Sequence, residues 1–208
     1  MKRRTLLAAG GSALVTLGAG PFAGAAFAQE AEAPLFSEMV LGNPDATVEV
    51  IEYASFTCPH CASFHENQFK VLQANYIDTG KIRFVYREVY FDRPGLWASM
   101  IARCAADQDF FFAFTELLYA EQRTWLASGD PAGIIADLRR LAKTAGMDDA
   151  ALDACLTDGA KAEALFTWYQ ENAERDGINS TPSFLIDGEK YSNMAYDAFA
   201  AILDEKLG

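Results

Sequence analysis

Two cysteines separated by two residues, Cys58 and Cys61, stand where a predicted strand gives way to a predicted helix. The strand, 47–54, carries apolar residues on both faces, which is typical of a strand in the middle of a covered sheet. The helix begins at Cys58 and continues to about residue 76, with apolar side chains near one of its faces. The sequence therefore predicts two thiols at the start of a helix that directly follows a buried strand.

The rest of the chain supplies a second central strand and then a long helical segment. Residues 82–90 are rich in β-forming side chains, whereas 97–176 is predicted to be helical in several pieces. The phenylalanine-rich stretch at 110–114 is predicted to be helix core. β-structure returns at 183–186 as the first arm of a hairpin, and a closing amphipathic helix follows at 195–207.

This order of elements, with Cys-x-x-Cys at the helix start, predicts an α/β protein with a thioredoxin-like fold. The helical segment is too long for a loop of that fold, so we predict an inserted all-helical subdomain at 92–165. The thioredoxin-like domain then consists of 29–91 and 166–208.

Residues 1–28 have the pattern of a secretory signal peptide that is removed from the mature protein. Three basic residues at the start precede an apolar stretch, and Ala26-Phe27-Ala28 is a small-x-small cleavage pattern at its end. The apolar stretch is nearly long enough to span a bilayer, which leaves an uncleaved membrane anchor as the alternative. The pair Arg3-Arg4 also resembles a twin-arginine signal, so the general secretory and twin-arginine routes both stay open.

The charge of the chain limits its partners. The net charge is −12, and removal of the three basic residues in 1–28 makes it more negative. Nucleic acids and anionic lipid surfaces carry the same sign of charge, so neither is an expected partner. The four cysteines can form disulfides in an exported chain, because the compartment beyond the inner membrane is oxidising.

The position of Cys58 favours a reactive thiolate. A thiol at a helix start faces unpaired backbone N–H groups and the positive end of the helix dipole, and His60 adds positive character in the same turn. Pro59 fits the first helical turn, where its missing N–H costs nothing. A stable thiolate is also a good leaving group, so a Cys58–Cys61 disulfide is expected to be strongly oxidising.

Three other uses of this cysteine pair were weighed. A structural zinc site needs about four ligands, and Cys58, Cys61 and His65 supply three without a second close pair. Covalent haem attachment needs a histidine where the chain has Ala62. A purely structural disulfide does not explain the position at the helix start. Redox chemistry is therefore the prediction, with no cofactor and no metal.

The segment Val50-Ile51-Glu52-Tyr53-Ala54-Ser55-Phe56-Thr57-Cys58-Pro59-His60-Cys61 resembles the active-site segment of the DsbA family of periplasmic disulfide oxidases. The resemblance extends over nearly the whole chain after residue 28. It implies a periplasmic enzyme that introduces disulfides into unfolded secreted proteins. It also implies reoxidation by a DsbB-like membrane partner.

Three further residues take roles from this resemblance. Glu52 matches the buried acidic residue beneath the disulfide, with proton exchange with Cys61 as its implied role. Pro182 matches the cis-proline opposite the first active-site cysteine, and Thr181 the neighbouring position that contacts substrate. From the residues alone, Glu52 shares a strand face with Val48 and Val50, which favours burial, although a solvated glutamate stays the alternative.

The other two cysteines, Cys104 and Cys155, both fall on predicted apolar helix faces. If Cys58 pairs with Cys61, they have only each other, and we predict a structural disulfide between them. Two buried free thiols that act as small hydrophobes are the alternative. His65 receives no functional role, and we expect it to lie on the surface or to contribute to packing.

Two rival functions stay open. A disulfide isomerase or reductase uses the same motif, and Thr181 is also common in isomerase-like relatives. A protein that handles Cu(I) could use Cys58 and Cys61 as soft ligands. The segment between residues 29 and 39 is too short for a dimerisation domain, so we predict a monomer that acts as an oxidase.

Overall fold

The computed structural model describes residues 36–105 and 107–208. The predicted signal peptide, 1–28, lies outside these residues. Within them, no helix combines the length and the apolar character needed to cross a membrane.

A five-stranded mixed sheet forms the centre of the fold, in the order β1-β3-β2-β4-β5. The central strand β2 pairs in parallel with β3 and antiparallel with β4, and β1 and β5 complete the two edges antiparallel. The strands are β1 (Met39–Gly42), β2 (Val48–Ala54), β3 (Ile82–Glu88), β4 (Ser183–Ile186) and β5 (Glu189–Ser192). The prediction of two apolar central strands is confirmed within a few residues at their ends.

One helix connects β2 to β3, and we call it the cysteine helix because Cys61 lies in its first turn. It consists of α1 (Pro59–Phe64), α2 (Lys70–Leu72) and two wider π-helical segments, π1 (His65–Phe69) and π2 (Gln73–Ile77). π-Helical turns inside α-helices are rare, and many of those that do occur lie at functional sites. Here π1 begins at His65, directly after the turn that carries the cysteines.

Six helices lie between β3 and β4 in the chain and form the predicted helical insertion. They are α3 (Arg93–Ala102), α4 (Gln108–Ala120), α5 (Gln122–Trp125), α6 (Pro131–Thr144), α7 (Asp149–Thr157) and α8 (Gly159–Arg175). The exact bounds of the insertion, 92–165, stay a prediction, and α8 continues across the second of them. A last helix, α9 (Tyr196–Leu207), follows the hairpin formed by β4 and β5.

Aspartates begin five of the helices in the insertion. In each case the side chain accepts a hydrogen bond from a backbone N–H of the first turn, which satisfies a donor that the helix itself leaves unpaired. The capping residues are Asp92, Asp107, Asp130, Asp148 and Asp158. Part of the excess of acidic residues therefore has a structural purpose.

Both faces of β2 are buried, as the apolar pattern predicts. On one face Val50 belongs to a large core that also contains Phe64 of the cysteine helix, Phe199 of α9 and Phe114 of α4. On the other face Tyr53 belongs to a smaller core with apolar residues of β3 and β4. Because the large core includes side chains from both the sheet and the insertion, the two parts pack as one body around the start of the cysteine helix.

Candidate active site

Cys58 caps the start of the cysteine helix with an extended backbone, and Pro59 follows at the first helical position. The Cys58 side chain is half-buried, and its Sγ lies 3.5 Å from the carbonyl oxygen of Thr181. Hydrogen bonding from the Cys61 thiol is the largest influence that lowers the pKa of Cys58, to about 5, against the opposing effect of burial. Cys58 is therefore a thiolate at neutral pH when the pair is reduced.

Cys61 has the opposite chemistry, although it lies only one turn away. Its side chain is buried, and burial is the main reason that the pKa of its thiol is raised far above the ordinary range. Hydrogen bonding to Cys58 and the charge of Glu52 raise it further. The reduced pair thus consists of an accessible thiolate and a buried thiol that holds its proton.

The helix start stabilises the Cys58 thiolate through its backbone. The N–H groups of His60 and Cys61 both lower the pKa of Cys58, whereas the His60 side chain is exposed. The sequence alone predicts that positive charge on His60 adds to this effect. In the structure His60 contributes through its main chain.

The Thr181–Pro182 peptide bond is cis, and it leads directly into β4. The Thr181 carbonyl oxygen lies beside the Cys58 sulfur. Pro182 is buried, and Thr181 is partly exposed. The two residues that the resemblance assigns to substrate binding therefore lie beside the accessible cysteine.

Glu52 lies on β2 and is completely buried. Its two carboxylate oxygens lie 3.1 and 3.0 Å from Nε2 of His65, the first residue of π1. The charge of Glu52 also helps to raise the pKa of the buried Cys61 thiol. Glu52 and His65 thus form a buried hydrogen-bonded pair at the inner side of the cysteine pair.

Sequence reasoning did not identify His65 as a functional residue. Two signals could have found it. His65 follows Cys61 by four residues, which places both side chains on one face of a helix. A buried glutamate also needs a polar partner, since an unpaired carboxylate in a core is very costly.

Tyrosines from two elements surround the Glu52–His65 pair. The ring of Tyr119, from α4, stacks on the His65 ring with centroids 4.3 Å apart. The hydroxyl groups of Tyr119 and Tyr86 lie 2.5 Å apart, and Tyr119 also donates to the carbonyl of Ser55. Burial raises the pKa of both phenols well above the ordinary range, so both stay protonated.

A buried glutamine holds the loop that carries Cys58. The side-chain amide of Gln122, in α5, donates to the carbonyl oxygens of Phe56 and Cys58 at 2.8 and 2.9 Å. This contact joins the helical insertion to the cysteine loop across 64 residues of sequence. Sequence reasoning missed Gln122, and no local pattern indicates its role.

Cys104 and Cys155 are joined by a disulfide with Cα atoms 5.8 Å apart. The bridge connects Cys104, two residues after the end of α3, to Cys155 in the last turn of α7. Cys58 and Cys61 are both free thiols. The four cysteines therefore divide into one bridge within the insertion and one reduced pair at the helix start.

His65, weighed as a third ligand beside the two cysteines, is engaged elsewhere. The imidazole Nε2 of His65 contacts Glu52, so this nitrogen is not available beside Cys58 and Cys61. Within 36–105 and 107–208, no three His, Cys, Asp or Glu side chains lie together in a group that could hold a metal ion.

Comparison with known proteins agrees with this geometry. The thioredoxin family model matches residues 36–205. A Rickettsia bellii protein with the provisional name protein-disulfide oxidoreductase is 33% identical over 171 residues, which is 82% of this chain and 65% of that protein. This chain spans less than two thirds of the length of its curated rickettsial relatives.

Two solved structures are similar over most of both chains. The crystal structure of Wolbachia pipientis alpha-DsbA1 has a TM-score of 0.76 at 28% identity, with 84% of this chain and 93% of that chain covered. A protein-disulfide isomerase from Novosphingobium aromaticivorans has a TM-score of 0.73 at 26% identity, with 82% and 97% covered. The protein belongs to the thioredoxin family, and its fold and helical insertion are those of a DsbA-like member.

Proposed function

We propose that this chain is a protein thiol:disulfide oxidoreductase that transfers a disulfide from Cys58 and Cys61 to unfolded polypeptides. One observation carries the proposal: Cys58 lies half-buried at the helix start with its sulfur beside the Thr181 carbonyl, whereas Cys61 is buried one turn away. This placement lowers the pKa of Cys58 to about 5 and raises that of Cys61. A thiolate stabilised in this way leaves readily and re-forms a disulfide reluctantly. This asymmetry is what a disulfide donor needs.

The cycle begins with the oxidised protein. A substrate thiolate attacks the Cys58 sulfur, the Cys58–Cys61 bond breaks, and a mixed disulfide forms between Cys58 and the substrate. The Cys61 sulfur leaves with the electron pair and takes up a proton. Because Cys58 is half-buried and Cys61 is buried, attack at Cys58 is the accessible route.

A second substrate thiolate then attacks the substrate sulfur of the mixed disulfide. Cys58 leaves as a thiolate without needing a proton, since its pKa lies below neutral pH. The substrate is released with a new disulfide, and the protein retains the two electrons as reduced Cys58 and Cys61. A DsbB-like membrane partner then removes them, and Cys61 must give up its proton as the bond re-forms.

Substrate binding is proposed along the edge formed by Thr181 and Pro182. The cis bond presents this edge beside Cys58. An extended peptide can pair with such an edge through its main chain, which suits unfolded polypeptides of varied sequence. The acidic surface argues against nucleic acid as a substrate.

The place of action is proposed to be the periplasm, after removal of 1–28. The basic start, apolar stretch and cleavage pattern of these residues support export. Oxidising conditions there would preserve the Cys104–Cys155 bridge. The mass of protein recovered from the periplasm tests the proposal, and an active pool that retains 1–28 would contradict it.

The direct test of the activity is oxidation of a reduced peptide that contains two cysteines. The wild-type protein should form the peptide disulfide with a matched loss of its own Cys58–Cys61 disulfide. Cys58→Ser should abolish the reaction. When Cys61→Ser is given the oxidised peptide instead, the Cys58 thiolate should attack the peptide disulfide and release one peptide thiolate, so that a mixed disulfide accumulates without a Cys61 thiol to resolve it. Mass spectrometry distinguishes these products, and accumulation with Cys58→Ser instead would reverse the assigned roles.

A disulfide isomerase is the second candidate, favoured by the similarity to a structure named as a protein-disulfide isomerase. Thr181 beside the site is compatible with either activity. We propose a monomer that oxidises reduced polypeptides rapidly and repairs scrambled disulfides poorly. Light scattering and reactivation of a scrambled multi-disulfide protein test this, and a stable oligomer with strong reactivation and weak oxidation would favour the isomerase.

A further inference from the structure

A groove of about 960 Å³ runs along the side of the cysteine helix, between this helix and α4. It begins beside Pro59, and its walls carry mainly polar and charged side chains, among them Ser63, Glu66 and Glu116. His65 and Tyr119 also line it. The groove therefore extends from solvent to the buried polar pair beneath the cysteines.

His65 is the member of that pair that reaches the groove. The Glu52 side chain has no exposed surface, whereas 9% of the His65 side chain is exposed. On its inner side, His65 contacts both carboxylate oxygens of Glu52. One side chain thus touches the groove and the carboxylate that lies near Cys61.

We propose that His65 carries protons between the groove and Glu52, which exchanges them with Cys61. The inference rests on the proposed thiol–disulfide exchange and assigns to that reaction a route for its proton. Glu52 is the buried acidic group whose charge acts on Cys61. His65 acts through Glu52, as a positioning and relay residue.

The route matters because Cys61 cannot exchange protons with solvent directly. When the Cys58–Cys61 bond breaks, the Cys61 sulfur receives the electron pair in a buried site that strongly disfavours a thiolate. A proton passes from His65 through Glu52 to the Cys61 sulfur, and Glu52 gives up one proton as it takes up another. Solvent in the groove then restores the proton of His65. During reoxidation each transfer runs in reverse.

Histidine is suited to this position because its ring has two nitrogens, one of which can accept a proton while the other donates one. Packing alone does not require it, since a phenylalanine ring could stack on Tyr119 in the same place. The contact of Nε2 with Glu52 is what a phenylalanine would lose. The contact with Glu52 therefore explains why this position is a histidine, and the aromatic neighbours hold its ring in position.

A second polar group lies along the route. The hydroxyl of Thr115, in α4, lines the groove and is buried, with no hydrogen-bond partner within 36–105 and 107–208. Buried hydroxyls are usually satisfied by a protein group or by ordered water. A water molecule held by Thr115 at the groove wall would give His65 a partner for proton exchange.

The charges around His65 come from every element packed against it. Glu52 approaches from β2, and Tyr86 and Tyr119 approach from β3 and α4 as protonated phenols. Glu66 and Lys70 of its own helix and Glu116 of α4 line the groove, as does Arg123. Lys70 and Glu116 form an ion pair at 3.4 Å, so Glu52 is the charge in direct contact with the ring.

The test measures single-turnover reduction of the Cys58–Cys61 disulfide by dithiothreitol between pH 5 and 9. Rates are divided by the thiolate fraction of dithiothreitol and compared in H₂O and D₂O. His65→Gln retains an N–H donor for Glu52 but cannot titrate, and His65→Phe retains the aromatic stacking. Val71→Ala, an exposed change elsewhere in the cysteine helix that does not line the groove, is the matched control.

The wild-type protein and Val71→Ala should share a pH dependence and a solvent isotope effect that both His65 variants lack. We expect the His65 variants to react about 10–100-fold more slowly at neutral pH, within the range for removal of general acid–base groups and their supporting partners. Glu52→Gln and the Glu52→Gln/His65→Gln double variant should be equally slow, because the two groups act in series.

A wild-type rate and pH profile in His65→Gln would overturn the relay and leave the proposed function intact. Failure of the wild-type protein to oxidise the dithiol peptide would overturn the proposed function itself. If the His65 variants do not fold, Thr115→Val tests the same route with Glu52 and His65 in place. Slower reduction over the same pH range would support the relay, and an unchanged profile would contradict it.

Discussion

Cys58 and Cys61 are the same residue type, but the fold lowers the pKa of one thiol and raises that of the other. Cys58 lies at the helix start, where the Cys61 thiol and backbone N–H groups donate to its sulfur. Cys61 points into the core, where burial opposes a charge. The low pKa of Cys58 therefore depends first on hydrogen bonding from Cys61, and the high pKa of Cys61 depends first on burial.

The reactivity of Cys58 should depend on the donor at position 61. In Cys61→Ser a hydroxyl replaces the thiol as a donor, and the rate of alkylation by iodoacetamide should reach half its maximum near pH 5 to 6. In Cys61→Ala the donor is lost, so the pKa of Cys58 should move upward towards the ordinary value of about 8.5. Equal profiles for the two variants would show that the Cys61 donor is not the main cause.

Gln122 provides a prediction about stability. Gln122→Ala removes two hydrogen bonds and leaves the carbonyl oxygens of Phe56 and Cys58 without that partner. Because these groups are buried or half-buried, we expect a loss of about 1–3 kcal/mol in the free energy of unfolding by urea. Arg123→Ala, an exposed change at the neighbouring position, is the control. It should change the free energy of unfolding by less than about 0.5 kcal/mol. An equal effect of the two changes would contradict the role assigned to Gln122.

Residues of the site differ in how well the sequence predicts them. Cys58 and Cys61 carry a motif with a defined spacing, and Glu52 lies on a strand whose pattern already indicates burial. His65 lies four residues after Cys61, which places both on one helix face. Its contact with Glu52 can be inferred only once Glu52 is known to be buried. Gln122 acts across 64 residues, and such a contact depends on packing that no local pattern reveals.

At the scale of elements, local patterns predict types and approximate bounds. The run of apolar residues on both faces predicts a central strand, and β2 occupies that place in the sheet. The cysteine helix was predicted as a regular helix, whereas the structure contains π1 and π2. Side-chain periodicity cannot show one additional residue in a turn, because packing against α4 and the sheet decides it.

The bridge between Cys104 and Cys155 gives a prediction for the insertion. It closes a loop of 51 residues, for which the chain-entropy estimate gives a stabilisation of up to about 4 kcal/mol. The Cys104→Ser/Cys155→Ser variant should unfold at a lower urea concentration. Its free energy of unfolding should fall by up to about 4 kcal/mol. Alkylation of Cys58 should stay unchanged in it, and peptide mapping without reductant should recover the bridge from the wild-type protein. Recovery of both residues as free thiols would contradict the bridge.

The whole molecule is organised so that the insertion completes the site. The sheet and the cysteine helix supply Glu52, Cys61 and His65, whereas α4 and α5 supply Tyr119 and Gln122. One apolar core includes side chains from both parts. The thioredoxin-like frame alone would leave His65 and the cysteine loop without these contacts.

The stability of the molecule should depend on pH through Cys58. Its folded pKa of about 5 lies below the unfolded value of about 8.5, so the thiolate adds stability as the pH rises above about 5. This contribution is complete above about 8.5 and is lost as the pH falls through about 5. Cys61→Ser should therefore gain urea resistance between pH 5 and 8 relative to Cys58→Ser/Cys61→Ser. A constant difference between these variants would contradict the lowered pKa.

The reduction potential of the Cys58–Cys61 pair tests the proposed oxidase most directly. Because the reduced protein gains a stabilised thiolate at Cys58, equilibrium with glutathione should give a potential less negative than about −180 mV. Measuring the Cys104→Ser/Cys155→Ser variant removes the second disulfide, so that the potential obtained is that of the Cys58–Cys61 pair alone. A potential near about −270 mV, the range of a thioredoxin reductant, would contradict the proposal that this protein donates disulfides.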